Sequence, residues 1–264
     1  MHRRMRRPPP RRTGAGTYLS PARPRVLAHR GLALEAPENT MLAFAAAIAA
    51  GAEYIETDVH ASSDGIAVVA HDPDLRRIAG RDVRVDALTF AELRKIDLGE
   101  GQVFCSLAEA LDAFPETRFN IDVKSAAAVR PTIAAVLAAR ATGRVLVSSF
   151  SESRRRAAVR GLPGVATSAS ARLFAVALLA GKAGLSPVVR RALRSIVAVQ
   201  VPEKAIGLRI TTARMIRRLH DAGVEVHVWT INDPLRIAEL LDLGVDGIVT
   251  DRADLALEVV RSRS

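Results

Sequence analysis

The chain has 264 residues, of which 49% are hydrophobic and 4% aromatic, with one cysteine and a formal net charge of +10. That apolar fraction excludes a disordered chain for the bulk of the sequence and calls for a core of Ala, Val, Leu and Ile. The lone Cys105 excludes an internal disulfide, and no apolar run reaches the ~18 residues that a membrane span needs.

The positive charge is concentrated at one end. Arg3, Arg4, Arg6, Arg7, Arg11, Arg12, Arg23 and Arg25 all precede the first acidic residue, Glu35. Residues 1–24 are rich in Arg and Pro with no apolar period, which predicts a disordered basic arm. It lacks the apolar segment of a secretory signal, and with the single cysteine this points to the cytoplasm.

From Arg25 onward, short apolar strand-like runs alternate with Ala/Leu-rich helical runs. The first strand is Arg25–Ala28, followed by a helix over Thr40–Ala50 that ends at Gly51. Tyr54–Val59 is the second strand, with an extension Ile66–Ala70 after the turn Ser63-Asp64-Gly65. Residues 72–106 form a long insertion with one short helix, Phe90–Ile96, expected over the barrel mouth as a lid or substrate wall, or else as a surface decoration. A helix Leu107–Phe114 leads to strand Arg118–Val123 and helix Ala128–Ala141. Strand Val145–Ser148 precedes a helix from Ser151 to about Gly161, and Val165–Thr167 is the fifth strand. Ile196–Val201, Val226–Thr230 and Gly247–Thr250 complete the set, each followed by a helix. Eight strands in this rhythm predict an α/β fold, a TIM-type (β/α)8 barrel over residues 25–264 with a small insertion after the second strand. An open doubly wound sheet would bring a glycine-rich phosphate loop after its first strand, whereas here the first strand runs into Ala28-His29-Arg30-Gly31.

The polar residues that carry chemistry cluster at the predicted strand ends, which converge on one face of a barrel. His29 ends the first strand, Glu56 and Asp58 the second, His71 its extension, Asp122 and Lys124 the third, and Trp229 the seventh. Strand alternation aims Glu56 and Asp58 to one side, and Asp122 and Lys124 likewise. Three neighbouring carboxylates make a hard oxygen set suited to Mg²⁺ or Ca²⁺. Imidazole is the side chain whose ordinary charge change falls near neutral pH, which makes His29 and His71 candidates for general base and general acid. Arg30 and Lys124 supply positive charge for a phosphate. His227 lies within a Val-rich strand and reads as core or support. Pro37-Glu38-Asn39-Thr40 reads as a helix start that could brace the His29 loop.

These residues resemble the glycerophosphodiester phosphodiesterase family. His29-Arg30-Gly31, Pro37-Glu38-Asn39-Thr40, Glu56-Thr57-Asp58, His71-Asp72, Asp122-Val123-Lys124, Trp229-Thr230-Ile231-Asn232 and Gly247-Ile248-Val249-Thr250-Asp251 occur in the family's order, from about Arg25 to Val260. The resemblance implies one divalent cation at Glu56, Asp58 and Asp122, His29 and His71 as the acid/base pair, and Arg30 and Lys124 on the phosphate, with Trp229 expected at the substrate. It also implies the insertion as the family's extra subdomain. In two places the chain departs from the pattern. Asp122 stands where many members carry Glu, and Cys105-Ser106-Leu107 stands where Pro-Thr-Leu is common. The function so implied is hydrolysis of glycerophosphodiesters to an alcohol and glycerol 3-phosphate. A lysophospholipid substrate, with an apolar groove formed by Ala171–Leu185, is the alternative. A binding protein whose arm docks on nucleic acid or anionic membrane is a third reading, and without interleaved aromatics no specific nucleic acid is expected.

Overall fold

The computed structural model describes residues 18–263 except Ile206. In chain order its strands are β1 Arg25–His29, β2 Tyr54–Ala61, β3 Ala67–Val69, β4 Arg118–Val123, β5 Val145–Ser148, β6 Ala166–Thr167, β7 Ala198–Val201, β8 Lys204–Ala205, β9 Leu208–Arg209, β10 Glu225–Val228 and β11 Gly247–Thr250. The parallel strands follow the order β6-β5-β4-β2-β1-β11-β10-β7. A bridge between Ser168 and Ala198 joins the two ends, with Val197 N donating to Thr167 O at 3.0 Å and Ala169 N to Ala198 O at 3.1 Å. The result is the expected eight-stranded TIM-type barrel with helices between its strands. β3 pairs antiparallel with β2, and β8 with β9 forms a small hairpin. Among the described residues no helix is long and apolar enough to cross a membrane.

Strand alternation sorts every residue into one of two environments. Outward-facing Ile55, Val59, Phe119, Ile121, Val123, Val145 and Val147 are buried under the helices on one half of the barrel. Val26, Ala28, Val199, Val201, Val226, Val228 and Ile248 do the same on the other half. Inward-facing Leu27, Tyr54, Leu146, Ala198 and Val249 fill the barrel interior together with Tyr18. Gly247 also has a reason to be small: a Cβ there would lie 2.8 Å from the His227 ring.

Local chemistry explains the helix starts. Thr40 caps helix Met41–Ala49, its hydroxyl accepting from Ala43 N at 3.3 Å. Ser106 forms a capping box with Glu109 at helix Leu107–Ala113, so the departure at Cys105-Ser106-Leu107 keeps the hydroxyl that the turn needs.

The insertion differs from its expectation. It holds two short α-helices, Arg76–Ala79 and Phe90–Leu93, with a 3-10 turn Val85–Ala87 between them, and its apolar side chains Leu75, Val85, Leu93, Ile96 and Phe104 close around Val68 and Ala70 in a core of their own. The helix expected over Phe90–Ile96 stops at Leu93.

The basic arm was expected to run to residue 24, and that boundary is corrected. Residues 1–17 lie outside the described residues, but Tyr18–Pro24 is built into the barrel floor. Tyr18 is fully buried, and its carbonyl accepts from Tyr54 Oη at 2.7 Å. The reason is Arg25, a buried guanidinium inside the barrel whose donors all need acceptors. It donates to Glu225 at 2.8 and 2.9 Å, to Tyr54 Oη at 2.8 Å, and to the carbonyls of Pro21 at 2.8 Å and Leu19 at 3.0 Å. Composition alone does not reveal this demand.

Burial by itself would raise the Glu225 pKa, but hydrogen bonds from Arg25 and His227 bring it down to about 2. Its contribution to stability is therefore complete above the unfolded glutamate value of ~4.3 and fades as pH falls through about 2. Glu225→Gln, which leaves Arg25 buried without its counter-charge, is expected to cost about 3 kcal/mol at neutral pH. Urea unfolding at neutral pH and near the native pKa should show the variant and the parent converging in acid. An equal gap at both values would remove the ion pair from the account.

Candidate active site

The same alternation that fills the barrel also builds its rim. Two residues beyond Leu27 comes His29, and two and four beyond Tyr54 come Glu56 and Asp58. On β4, Asn120 and Asp122 stand level with Glu56 and Asp58, and Lys124 follows. A cavity of about 440 Å³ opens at this end, within the range of small-molecule sites. His29, Arg30, Glu56, Asp58, His71, Asp122, Lys124 and Trp229 all line it, so the eight candidate site residues reach one space.

The backbone at the end of β1 is bent to serve the rim. Arg30 has φ +59° and Gly31 φ +89°. At Gly31 a Cβ would sit 2.7 Å from the Ala43 backbone, so only glycine fits the turn. Arg30 N donates to Glu56 O at 2.8 Å, tying the loop to β2, and the Arg30 carbonyl accepts from Asn39 N at 2.9 Å. Asn39, also in the left-handed region, is not the helix cap. Its amide bridges Thr57 Oγ1 at 2.8 Å and Asp58 Oδ2 at 3.3 Å.

The three carboxyl groups are buried together. Burial first, then the charges of Asp58 and Asp122, pushes the Glu56 pKa well above the usual carboxylate range. Burial likewise raises Asp122. Glu56 Oε2 and Asp122 Oδ1 are buried without a hydrogen-bond partner. Asp58 is the exception, held by Lys124 Nζ at 2.8 Å and approached by Arg30 Nε at 3.2 Å. Lys124 also reaches Asp122 Oδ2 at 2.8 Å. Burial opposes the lysine's charge, but Asp58 and Asp122 outweigh it and hold its pKa above the ordinary value. With Lys124 between them, no three His, Cys, Asp or Glu side chains among the described residues close around a single point.

Both histidines are oriented by a carboxylate. His29 Nδ1 donates to Asp251 Oδ1 at 2.6 Å, and Asn232 donates to Asp251 Oδ2 at 2.8 Å. The histidine bond is the largest cause of a lowered Asp251 pKa. His71 Nδ1 donates to Asp72 Oδ1 at 2.7 Å. Occupying Nδ1 in this way leaves Nε2 of each ring for proton transfer. His29 Nε2 lies 3.9 Å from Glu56. His227 faces into the barrel, fully buried against Glu225 at 3.1 Å, and does not line the cavity.

No described insertion residue from Asp72 to Ser106 lines the cavity, so the insertion is not its wall. It acts from behind. Arg77 binds Asp72 Oδ2 at 2.6 Å and Glu38 Oε1 at 2.5 Å, and Glu38 in turn binds Arg30 at 3.0 Å. Burial would raise the pKa of Glu38, but Arg77 and Arg30 lower it. One guanidinium thus ties the support of His71 to the support of Arg30. Asp251, Asn232 and Arg77 are the functional neighbours that sequence reasoning missed. Asn232 and Asp251 close the motifs Trp229-Thr230-Ile231-Asn232 and Gly247-Ile248-Val249-Thr250-Asp251, whereas Arg77 gave no signal among the other surface arginines.

The model for the glycerophosphoryl diester phosphodiesterase family matches residues 29–255 of the chain. The chain belongs to that family. It is 42% identical over 239 residues to the Mycobacterium tuberculosis protein named "Probable glycerophosphodiester phosphodiesterase 2", covering 90% of each. It is also similar to the Mus musculus lysophospholipase D, 39% identical over 113 residues that span 38% of this chain and 36% of that one. Among solved structures, the glycerophosphodiester phosphodiesterase of Thermotoga maritima superposes with a TM-score of 0.69 at 27% identity, covering 89% of this chain and 97% of that one. The enzyme is thus a phosphoric diester hydrolase, a glycerophosphodiester phosphodiesterase. Its cavity faces the mouth of the barrel, as in TIM-barrel enzymes generally.

Arg77→Met is expected to lower kcat on a glycerophosphodiester by about tenfold, the usual scale for supports of catalytic groups. The thermal midpoint should move by only a few degrees, because Arg77 is half-exposed. A kcat equal to that of the parent would show that the linkage is idle.

Proposed function

We propose that the enzyme hydrolyses glycerophosphodiesters to an alcohol and glycerol 3-phosphate with His29 and His71 as the acid/base pair and one divalent cation, Mg²⁺ or Ca²⁺, as cofactor. The observation that carries this reading is the pairing of two carboxylate-oriented histidines with three buried carboxyl groups on a single cavity.

The residues fit a cation by their chemistry. Glu56, Asp58 and Asp122 are hard oxygen donors, and two of their oxygens are buried with no partner. Burial first, and then the neighbouring carboxylates, raises the pKa values of Glu56 and Asp122, so an ion of opposite charge would relieve both. A cation held there would neutralise charge on the phosphoryl oxygens.

The chain's own groups account for the rest. Arg30 and Lys124 lie at the rim to bind the phosphate oxygens. One histidine takes the proton of the substrate's glycerol hydroxyl as that oxygen attacks phosphorus. The other protonates the departing alcohol. Water then opens the cyclic phosphate, with the two proton transfers reversed. Asp251 and Asp72 stabilise each imidazolium as it forms, as the carboxylate does in other His–Asp pairs. The indole of Trp229, edge-on to Phe150 with ring centres 6.2 Å apart, offers an apolar contact to the substrate's carbon skeleton. A cytoplasmic location belongs to this proposal and rests on the lone, buried Cys105.

A second reading, cleavage of lysophospholipids, is favoured by one observation. Phe150, Ala171, Phe174, Ala175, Leu178 and Trp229 form an apolar side of the cavity. These include residues from the run anticipated as a groove. The likeness to a lysophospholipase D over part of the chain adds support.

Purified enzyme treated with a chelator should lose release of glycerol 3-phosphate from glycerophosphocholine and regain it with Mg²⁺ or Ca²⁺. His29→Ala and His71→Ala should each lower kcat by about 10²-fold or more. Undiminished turnover in either variant would refute the histidine assignment, and chelator-resistant turnover would refute the cation. On a mixture of lysophosphatidylcholine and glycerophosphocholine, kcat/KM favours the lipid under the second reading. Equal or lower values dismiss it.

A further inference from the structure

From residue 153 to residue 202 the chain carries no aspartate or glutamate, although it holds 28 acids in 264 residues. The same fifty residues contain nine lysines and arginines. Arg155 is buried against Glu152, but Arg172, Lys182, Arg190, Arg191 and Arg194 are exposed. No carboxylate within the segment balances them.

Large apolar side chains are exposed among these cations. Phe150 and Leu179 are each 60% exposed, and Val176, Leu185 and Val188 also face solvent. Backbone hydrogen bonds hold the segments that carry them together. Ala171 N donates to the carbonyl of Phe150, Leu185 N to that of Ala180, and Val188 N to that of Leu185. Helix Ala171–Lys182 joins these segments to the active site. Successive helical residues turn by about 100°. Arg172, Val176 and Leu179 therefore form an outer stripe directly beside Ala171, Ala175 and Leu178, which line the cavity. A helix that is apolar toward both cavity and solvent has an unmet face.

We infer that this face docks on an anionic phospholipid surface with the mouth of the cavity turned toward the headgroups. Aliphatic side chains such as Leu179, Leu185 and Val188 enter the boundary between headgroups and acyl chains, while the arginines around them meet lipid phosphates. Nucleic acid would use the cations but gains nothing from exposed leucine and valine, which do not stack on bases. The inference goes beyond the phosphodiesterase reading, because docking does not require catalysis.

The test uses the full chain and sedimentation with vesicles of phosphatidylcholine, with or without phosphatidylglycerol. Binding should appear with phosphatidylglycerol and weaken as salt is raised. Two double variants separate the contributions: the charge-neutral Leu179→Gln/Leu185→Gln, and Arg190→Gln/Arg191→Gln. Each should lower the partition coefficient by about tenfold or more. The thermal midpoint and the turnover of soluble glycerophosphocholine should stay at parental values, which excludes misfolding as the cause. Binding retained by both variants would assign the attraction to the arginines from Arg3 to Arg12 and overturn the inference. So would absence of binding to phosphatidylglycerol vesicles, or variants that lose single-stranded RNA but keep vesicles.

Discussion

Glu56, Asp58 and Asp122 stand on two hydrogen-bonded strands of a closed barrel, where solvent barely reaches them. Three carboxyl groups at that separation repel one another and lose hydration together. Lys124 answers part of the problem by bridging Asp58 and Asp122 at 2.8 Å each. The remainder stays visible in the partnerless oxygens of Glu56 and Asp122 and in their raised pKa values. A fold that keeps such a cluster must obtain its stability elsewhere, and the apolar layers outside the strands provide it.

The two ends of the barrel handle buried charge in opposite ways. At the floor, Arg25 is surrounded by acceptors from Glu225, Tyr54 and the segment that carries Tyr18, so its charge is satisfied. At the rim, the excess negative charge is left open toward the cavity. This division matches the general logic of the architecture, in which one face serves stability and the other chemistry. The supports are also divided. His29 is held by Asp251 from the end of β11, whereas His71 is held by Asp72 at the start of the insertion. Through Arg77 and Glu38 the insertion is also linked to Arg30, so a segment that forms no part of the cavity wall is still tied to side chains that face it.

Much of this was legible beforehand because period-2 patterning survives in any context. Ending apolar runs with His29, Glu56-Thr57-Asp58 and Asp122-Val123-Lys124 already implied a shared rim. The residues that were missed fail for a common reason: their partners are distant in sequence. Within the helix start Pro37-Glu38-Asn39-Thr40, Thr40 is the cap, and the Asn39 amide is left to Thr57 and Asp58. Arg77 is one arginine among many until Glu38, 39 residues away, closes on it. Tyr18 lies in a segment whose composition reads as disordered, and only the acceptor demand of buried Arg25 draws it in.

The sequence by itself determined the barrel, the order of its strands and the set of eight side chains that come to line the cavity. Those follow from local period and from residue types at strand ends, which need no knowledge of distant contacts. Tertiary structure alone decided which nitrogen of each histidine is free, which carboxylate is neutralised by Lys124, where the floor begins and which face of helix Ala171–Lys182 is left without a cover. Each of these depends on pairing or burial between segments far apart in the chain, and hydrogen bonding and desolvation act on distances that one-dimensional patterning does not contain.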